Sequence, residues 1–388
     1  MWLLLVRKQR TRPSGSPFRP GGLAYGGPVP VAERDLTTRA ASGAAAGVAR
    51  LLPWKGVVAP WLVSRVVSIV VLLAAVNDPS RGSRFAQVTT RWDGAFYLDI
   101  ARNGYGPVDI PFPKWPFFPL LPGLIRALSE VADDKAAIFV VNQLLFLVAL
   151  AGVYRIATRH GGTTVARLSV WALALFPASF VFSMTYPSAI FLAASVWAFV
   201  LVEDRHDLAA GLVAVGAAMV RPNGAVLVIA LIVAVHAWRR ALLVAGPSVV
   251  AVGAWCVYCW DRTGDPLVFL TTKSRWQEIT FVGLFEGHVK WSVLPHVVLA
   301  LGAIVVLVVQ RKRLPLSWLV FGALYLVPSL QLGMVGVGRY ANECFPPFVG
   351  VGQLLERWST RLRALYFAAS TVGLVLFAVV AARYDLVP

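Results

Sequence analysis

The sequence predicts an all-α polytopic membrane protein. Three observations carry that prediction: its composition, the length of its apolar runs, and the distribution of charge between them. Of 388 residues, 58% are hydrophobic and 14% charged, with a mean hydropathy of +0.69. Soluble domains carry about 25% charged residues, so a soluble fold of this chain would leave large apolar areas facing water.

Apolar runs long enough to be weighed against the roughly 20-residue span of a bilayer fall at about eleven places: 57–76, 136–154, 168–184, 188–202, 208–220, 225–238, 241–260, 292–310, 316–334, 344–355 and 364–382. Before the first of them lies an arm, residues 1–56. It holds "RPSGSPFRPGGLAYGGPVP", rich in Pro, Gly and Ser and without apolar periodicity, and reads as disordered. Its opening "MWLLLV" is too short for a signal-peptide core, and basic residues follow it instead of preceding it. Residues 57–388 form the membrane domain.

The formal net charge is +17, from 36 basic and 19 acidic residues. Nine of the basic residues (Arg7, Lys8, Arg10, Arg12, Arg19, Arg34, Arg39, Arg50 and Lys55) lie in the arm, against Glu33 and Asp35. That is the footprint of a cytosolic face near anionic lipid, and it excludes nucleic acid as the expected partner. With the arm inside, the cytosolic loops become "YRIATRHGGTTVAR", "EDRHD", "WRR", "RKR" and "ERWSTRLR", all but "EDRHD" clearly basic. The opposite face receives loop 77–135, with seven basic and seven acidic residues, and loop 261–290, with four of each. This alternation predicts a cytosolic N-terminus, an odd helix count and an external C-terminus. The Ala-, Val-, Gly- and Arg-rich composition points to a GC-rich genome and a bacterial plasma membrane.

The polar motifs that interrupt the apolar runs all fall on the expected external side: "RWDG" (91–94), "TYPS" (185–188), "RPNG" (221–224), "TGDPLVFL…RW" (263–276) and "GRY" (338–340). Arg221 and Arg339 stand at the ends of spans, where an ionisable group is costly and a functional candidate by default. Guanidinium groups hold phosphate through forked hydrogen bonds, and Arg91 and Lys114 add point charge. Trp92, Tyr97, Tyr105, Tyr186 and Tyr340, with Asn223, offer flat faces and polar tips to a sugar ring. Asp93 is the candidate general base, taking a proton from an acceptor hydroxyl while arginines stabilise a departing lipid phosphate. Each part also has a plainer reading: Trp-Asp as interfacial belt and helix cap, the arginines as side chains snorkelling to headgroups, and the aromatic run 112–118 as an interfacial segment.

No metal is expected. The five histidines show no ligand spacing, and "CVYC" (Cys256, Cys259) lies within an apolar run, where packing is the simpler reading than a redox pair.

The stretch "RWDGAFYLDIARNGYG…WPFFPLLPGLIR" resembles the signature of the PIG-V family of mannosyltransferases. It carries Trp92-Asp93-Gly94, Tyr97, Ile100-Ala101, Gly104-Tyr105 and Phe117-Phe118-Pro119-Leu120-Leu121-Pro122. "FPASFVFSMTYPSAIF", "RPNG" and "GRY" are similar to later motifs of that family in the same order, and the likeness runs from about residue 57 to the C-terminus. It implies a GT-C glycosyltransferase fold, a polyprenyl-phosphate-mannose donor used on the external face, a glycan or glycolipid acceptor, inversion at the sugar carbon, and Asp93 as the acidic residue of the first external loop. Ser188 stands where the family has a glutamate. That departure keeps two other readings open, a non-catalytic lipid-binding or scaffold relative and, beyond it, a transporter or flippase, although no internal repeat of the transporter kind is visible.

Overall fold

A computed structural model of the chain describes residues 54–76, 80, 82–276, 293–332 and 336–383. Almost all of the arm, and residues 277–290 of the second expected loop, lie outside the described residues. What is described is helical, and no strand occurs among the described residues.

Helix α1, Trp54–Ala75, shows why these runs fold as they do. Leu62, Val66 and Val70, four residues apart, form an exposed apolar stripe, while Val57, Ser64, Arg65, Ser68 and Leu72 face inward. An apolar stripe turned outward suits lipid as solvent. The first loop then folds into α2 (Arg84–Thr89), α3 (Asp93–Asn103) and α4 (Leu120–Ser129). Helix α5, Asp134–Ala174, begins at Asp133, whose carboxylate accepts from Ala136 N–H at 2.9 Å. It breaks at Gly162, whose φ of 80° and ψ of 179° are not helical.

The segment after α5 departs most from the expected topology. The chain turns through a 3-10 helix, Pro177–Ser183, and then into α6, Ser188–Glu203, at an angle of 105°. The span expected at 168–184 is therefore two pieces, the end of the kinked α5 and a short 3-10 turn. The loop expected at "YRIATRHGGTTVAR" is itself mostly helix. Arg155 and Arg159 of this stretch pair with Asp204 and Glu203 at the end of α6, at 2.9 and 3.1 Å.

The remaining helices are α7 (Asp207–Ala218), α8 (Ala225–Val235), α9 (Trp238–Thr263), α10 (Val268–Thr271), α11 (Leu294–Val309), α12 (Leu316–Leu332), α13 (Val337–Glu343), α14 (Phe345–Leu355) and α15 (Thr360–Ala382). Helix α6 is buried on nearly every side, as an all-round apolar helix must be, and packs between α5 and α7. Helix α14 lies against α5, and α11 against α13.

Among the described residues, four helices are long and apolar enough to cross a bilayer, or five if the bent pair counts as one span. The count of eleven spans is not confirmed. The reason is length: a helix such as Asp207–Ala218, with 12 residues, extends about 18 Å at 1.5 Å per residue, well short of a hydrocarbon core of about 30 Å.

Candidate active site

The site is built around the start of α3. Trp92 caps that helix with φ 52° and ψ −127°, one of few residues other than glycine at positive φ. Such backbone costs roughly 1–3 kcal/mol and persists where the surroundings hold it. Asp93 follows as the first helical residue. Gly94 comes next because a Cβ there would lie 2.6 Å from the Thr89 carbonyl oxygen. The three letters of Trp-Asp-Gly thus divide into a strained turn, a carboxylate and a close backbone approach.

Asp93 Oδ2 accepts from Arg339 Nη1 at 2.8 Å, across 246 residues of sequence. The Asp93 backbone N–H donates to the Tyr186 hydroxyl at 3.3 Å, and the Arg339 guanidinium lies 4.9 Å over the Tyr186 ring. Tyr186 is held from behind. Asn142 Nδ2 donates to the Met184 carbonyl at 2.8 Å, and Gln143 Nε2 to that of Phe182 at 3.1 Å. Arg65, buried within α1, donates to Ser179 Oγ at 2.7 Å and Ser183 Oγ at 3.0 Å, with Phe146 stacked beneath it at 4.5 Å.

A second ion pair adjoins the first. Arg221 Nη1 donates to Glu343 Oε2 at 2.5 Å, and the Tyr325 hydroxyl donates to the same oxygen at 2.6 Å. Tyr340 separates the two arginines, its ring 5.2 Å from the Arg221 guanidinium and 5.3 Å from that of Arg339. Tyr97 of α3 is buried within the field of Asp93, Arg221 and Arg339, and burial raises its phenol pKa above the ordinary value.

Four of the five interrupting motifs therefore converge on one cluster. The fifth packs beside it: Trp276 stands 4.9 Å from the ring of Phe96, and Arg275 Nη1 donates to the Val108 carbonyl at 2.7 Å. Arg91 is buried immediately before Trp92. Asn223 is half-buried in the Pro222–Gly224 turn beside Arg221.

Two sequence candidates are engaged elsewhere. Lys114 pairs with Asp99, and this bond, with that of Asn103, holds the Asp99 carboxyl below its ordinary pKa of 3.8. Tyr105 donates to the Phe117 carbonyl at 2.9 Å and stacks on Trp115 at 4.9 Å, so it braces the first loop.

Sequence reasoning missed Glu343, Tyr325, Arg65, His296 and Asn342. An ionisable residue inside an apolar run was the available signal for Arg65 and His296, and one at the edge of a run for Glu343; Tyr325 and Asn342 gave none. Among the described residues, no group of three His, Cys, Asp or Glu side chains is disposed to hold a metal ion.

Comparison with known proteins bears on the family and the fold. Residues 113–260 match the family described as dolichyl-phosphate-mannose-protein mannosyltransferase. No curated protein matches the chain. Among solved structures, the chain is similar to the oligosaccharyltransferase of Archaeoglobus fulgidus. Its apo form is 11% identical with a TM-score of 0.50, over 87% of this chain and 57% of that one. The same enzyme with zinc and sulfate gives 12% and 0.48, over 85% and 53%. Its complex with an inhibitory peptide and a dolichol-phosphate gives 12% and 0.44, over 84% and 56%. The chain spans little more than half the length of that enzyme, and at such identity the likeness is one of fold. The protein is a multi-pass membrane protein with a GT-C-like helical fold. The family match covers less than half of the chain, residues 113–260, and the likeness to the oligosaccharyltransferase is one of fold.

Proposed function

We propose that the protein transfers mannose from a polyprenyl-phosphate-mannose donor to a glycan or glycolipid acceptor, with inversion, in the manner of the PIG-V family. The reaction takes place on the external face of a bacterial plasma membrane. The observation that carries this reading is the Asp93–Arg339 pair at 2.8 Å. It sets the one partly exposed carboxylate of the cluster against a guanidinium suited to phosphate.

The proposed step needs no metal ion. Asp93 and Glu343 balance Arg221 and Arg339. The acceptor hydroxyl gives its proton to Asp93 as its oxygen forms the bond to the sugar carbon. The bond from that carbon to the phosphate oxygen breaks, and its electron pair leaves with the lipid phosphate. Protonation of Asp93 removes the charge opposite Arg339 as negative charge grows on the leaving group, so the guanidinium turns to the phosphate. Arg221 shares that task, with Arg91 as outlying positive charge. Trp92, Tyr97, Tyr186, Asn223 and Tyr340 line the path of the sugar, and Tyr105 supports them from the first loop.

The test uses full-length protein in lipid with radiolabelled polyprenyl-phosphate-mannose and a membrane lipid extract, wild type beside Asp93→Asn. Label reaching an acceptor only with the wild type is the expected result. A folded wild type that binds donor without turnover would instead favour a non-catalytic lipid-binding relative, the reading that the buried, uncharged Ser188 keeps open.

A further inference from the structure

Helix α13 carries four buried residues on one continuous arc. At about 100° per residue, Gly338, Asn342, Arg339 and Glu343 follow one another around it in that order. Arg339 and Glu343 are engaged with Asp93 and Arg221. Gly338 faces α11, where a Cβ would stand 2.6 Å from His296 Nδ1, so the imidazole lies directly against the α13 backbone. The other side of the His296 ring meets Phe377 at 5.2 Å.

His296 and Asn342 are both 0% exposed. Neither ring nitrogen of His296 and neither amide atom of Asn342 has a hydrogen-bond partner. Buried polar groups in folded proteins are almost always paired, and leaving four atoms unpaired costs stability that apolar side chains would keep. Both side chains therefore carry hydrogen-bonding capacity that no described residue takes up.

We propose that His296 and Asn342 form the subsite for the hydroxyls of the transferred sugar. This rests on the reading of Asp93 and Arg339 as the reaction centre. A neutral imidazole offers one donor and one acceptor, and a carboxamide offers both; neighbouring sugar hydroxyls need that mixture. Phosphate oxygens are acceptors only, and the two guanidinium groups already suit them. Position agrees with chemistry. The sugar is bonded directly to the phosphate, so its subsite must adjoin the phosphate-facing group, and Asn342 adjoins Arg339 on the arc.

The experiment measures binding of mannosyl-phospho-polyprenol and of bare polyprenyl phosphate to the full chain in lipid, with melting temperature recorded in parallel. His296→Phe and Asn342→Leu should each weaken the mannosylated lipid at least about tenfold, as expected for a lost substrate hydrogen bond. They should leave the bare lipid phosphate unchanged and the melting temperature equal or higher. His296→Gln, which keeps donor and acceptor, should retain most of the mannosylated-lipid binding and guards against a misfolded phenylalanine variant. Equal weakening of both lipids, or no weakening of either, overturns the subsite. A wild type that binds both lipids alike also overturns it while leaving the phosphate reading intact. A wild type that binds neither overturns the donor reading itself.

Discussion

Helix α13 holds two arginine–carboxylate pairs side by side, and they differ in exposure. The Asp93 side chain is 26% exposed opposite Arg339, whereas Glu343 is 0% exposed opposite Arg221 and takes a second hydrogen bond from Tyr325. A carboxylate that reaches solvent can exchange a proton with an incoming hydroxyl. One sealed between a guanidinium and a phenol cannot do so without exposing its partner. Asp93 is thus the working carboxylate, whereas Glu343 fastens Arg221 in place.

The sharpest way to break this comparison is to neutralise each carboxylate in turn. Asp93→Asn should lower transfer about 10²–10⁴-fold, the usual contribution of a general base; it also takes the counter-charge from buried Arg339, so the melting temperature should fall, but less than for Glu343→Ala because the amide oxygen still accepts from the guanidinium. Rates that stay within a few fold would remove Asp93 from the chemistry. Glu343→Ala should act the other way round. It leaves Arg221 buried without a counter-charge, a defect that costs about 3–5 kcal/mol. Thermal unfolding in lipid measures it, and an unchanged midpoint would refute the fastener role.

Smaller changes sharpen the contrast. Tyr325→Phe removes the hydrogen bond donated to the Glu343 carboxylate and the one accepted from Arg221 Nη1 at 3.2 Å, and should cost about 1.5–3 kcal/mol, visible as a lower midpoint with the substrate affinity preserved. Asp99→Asn should have the smallest effect, since its pair with Lys114 is half-exposed and such pairs contribute about 0–1 kcal/mol. The sign in pH is fixed: Lys114 and Asn103 depress the folded pKa of Asp99 below 3.8. The contribution is therefore present above that value and lost as pH falls through the lower folded one. Melting temperature followed into acid should show a wild-type decline there that Asp99→Asn lacks.

Much of the cluster was legible in the sequence because its parts announce themselves locally. Trp92, Asp93 and Gly94 are polar, strained and small within three residues, and Arg221 and Arg339 are charges at the ends of apolar runs. Lys114 and Tyr105 were equally conspicuous, yet their partners, Asp99 and the Phe117 carbonyl, lie within the same loop. Local sequence cannot tell a charge that waits for substrate from one satisfied by its neighbour.

Composition and run length alone determined that the chain is an all-α membrane protein, because the bilayer demands long apolar helices with every backbone group paired. Charge alternation also put the polar motifs on one expected face of the membrane. Only the tertiary structure decided which helices are long enough to span, where the chain bends through 105° before Ser188, and which carboxylate meets which arginine. Asp93 and Arg339 are 246 residues apart. A pairing over that distance is fixed by how the helices pack, and no local pattern encodes it.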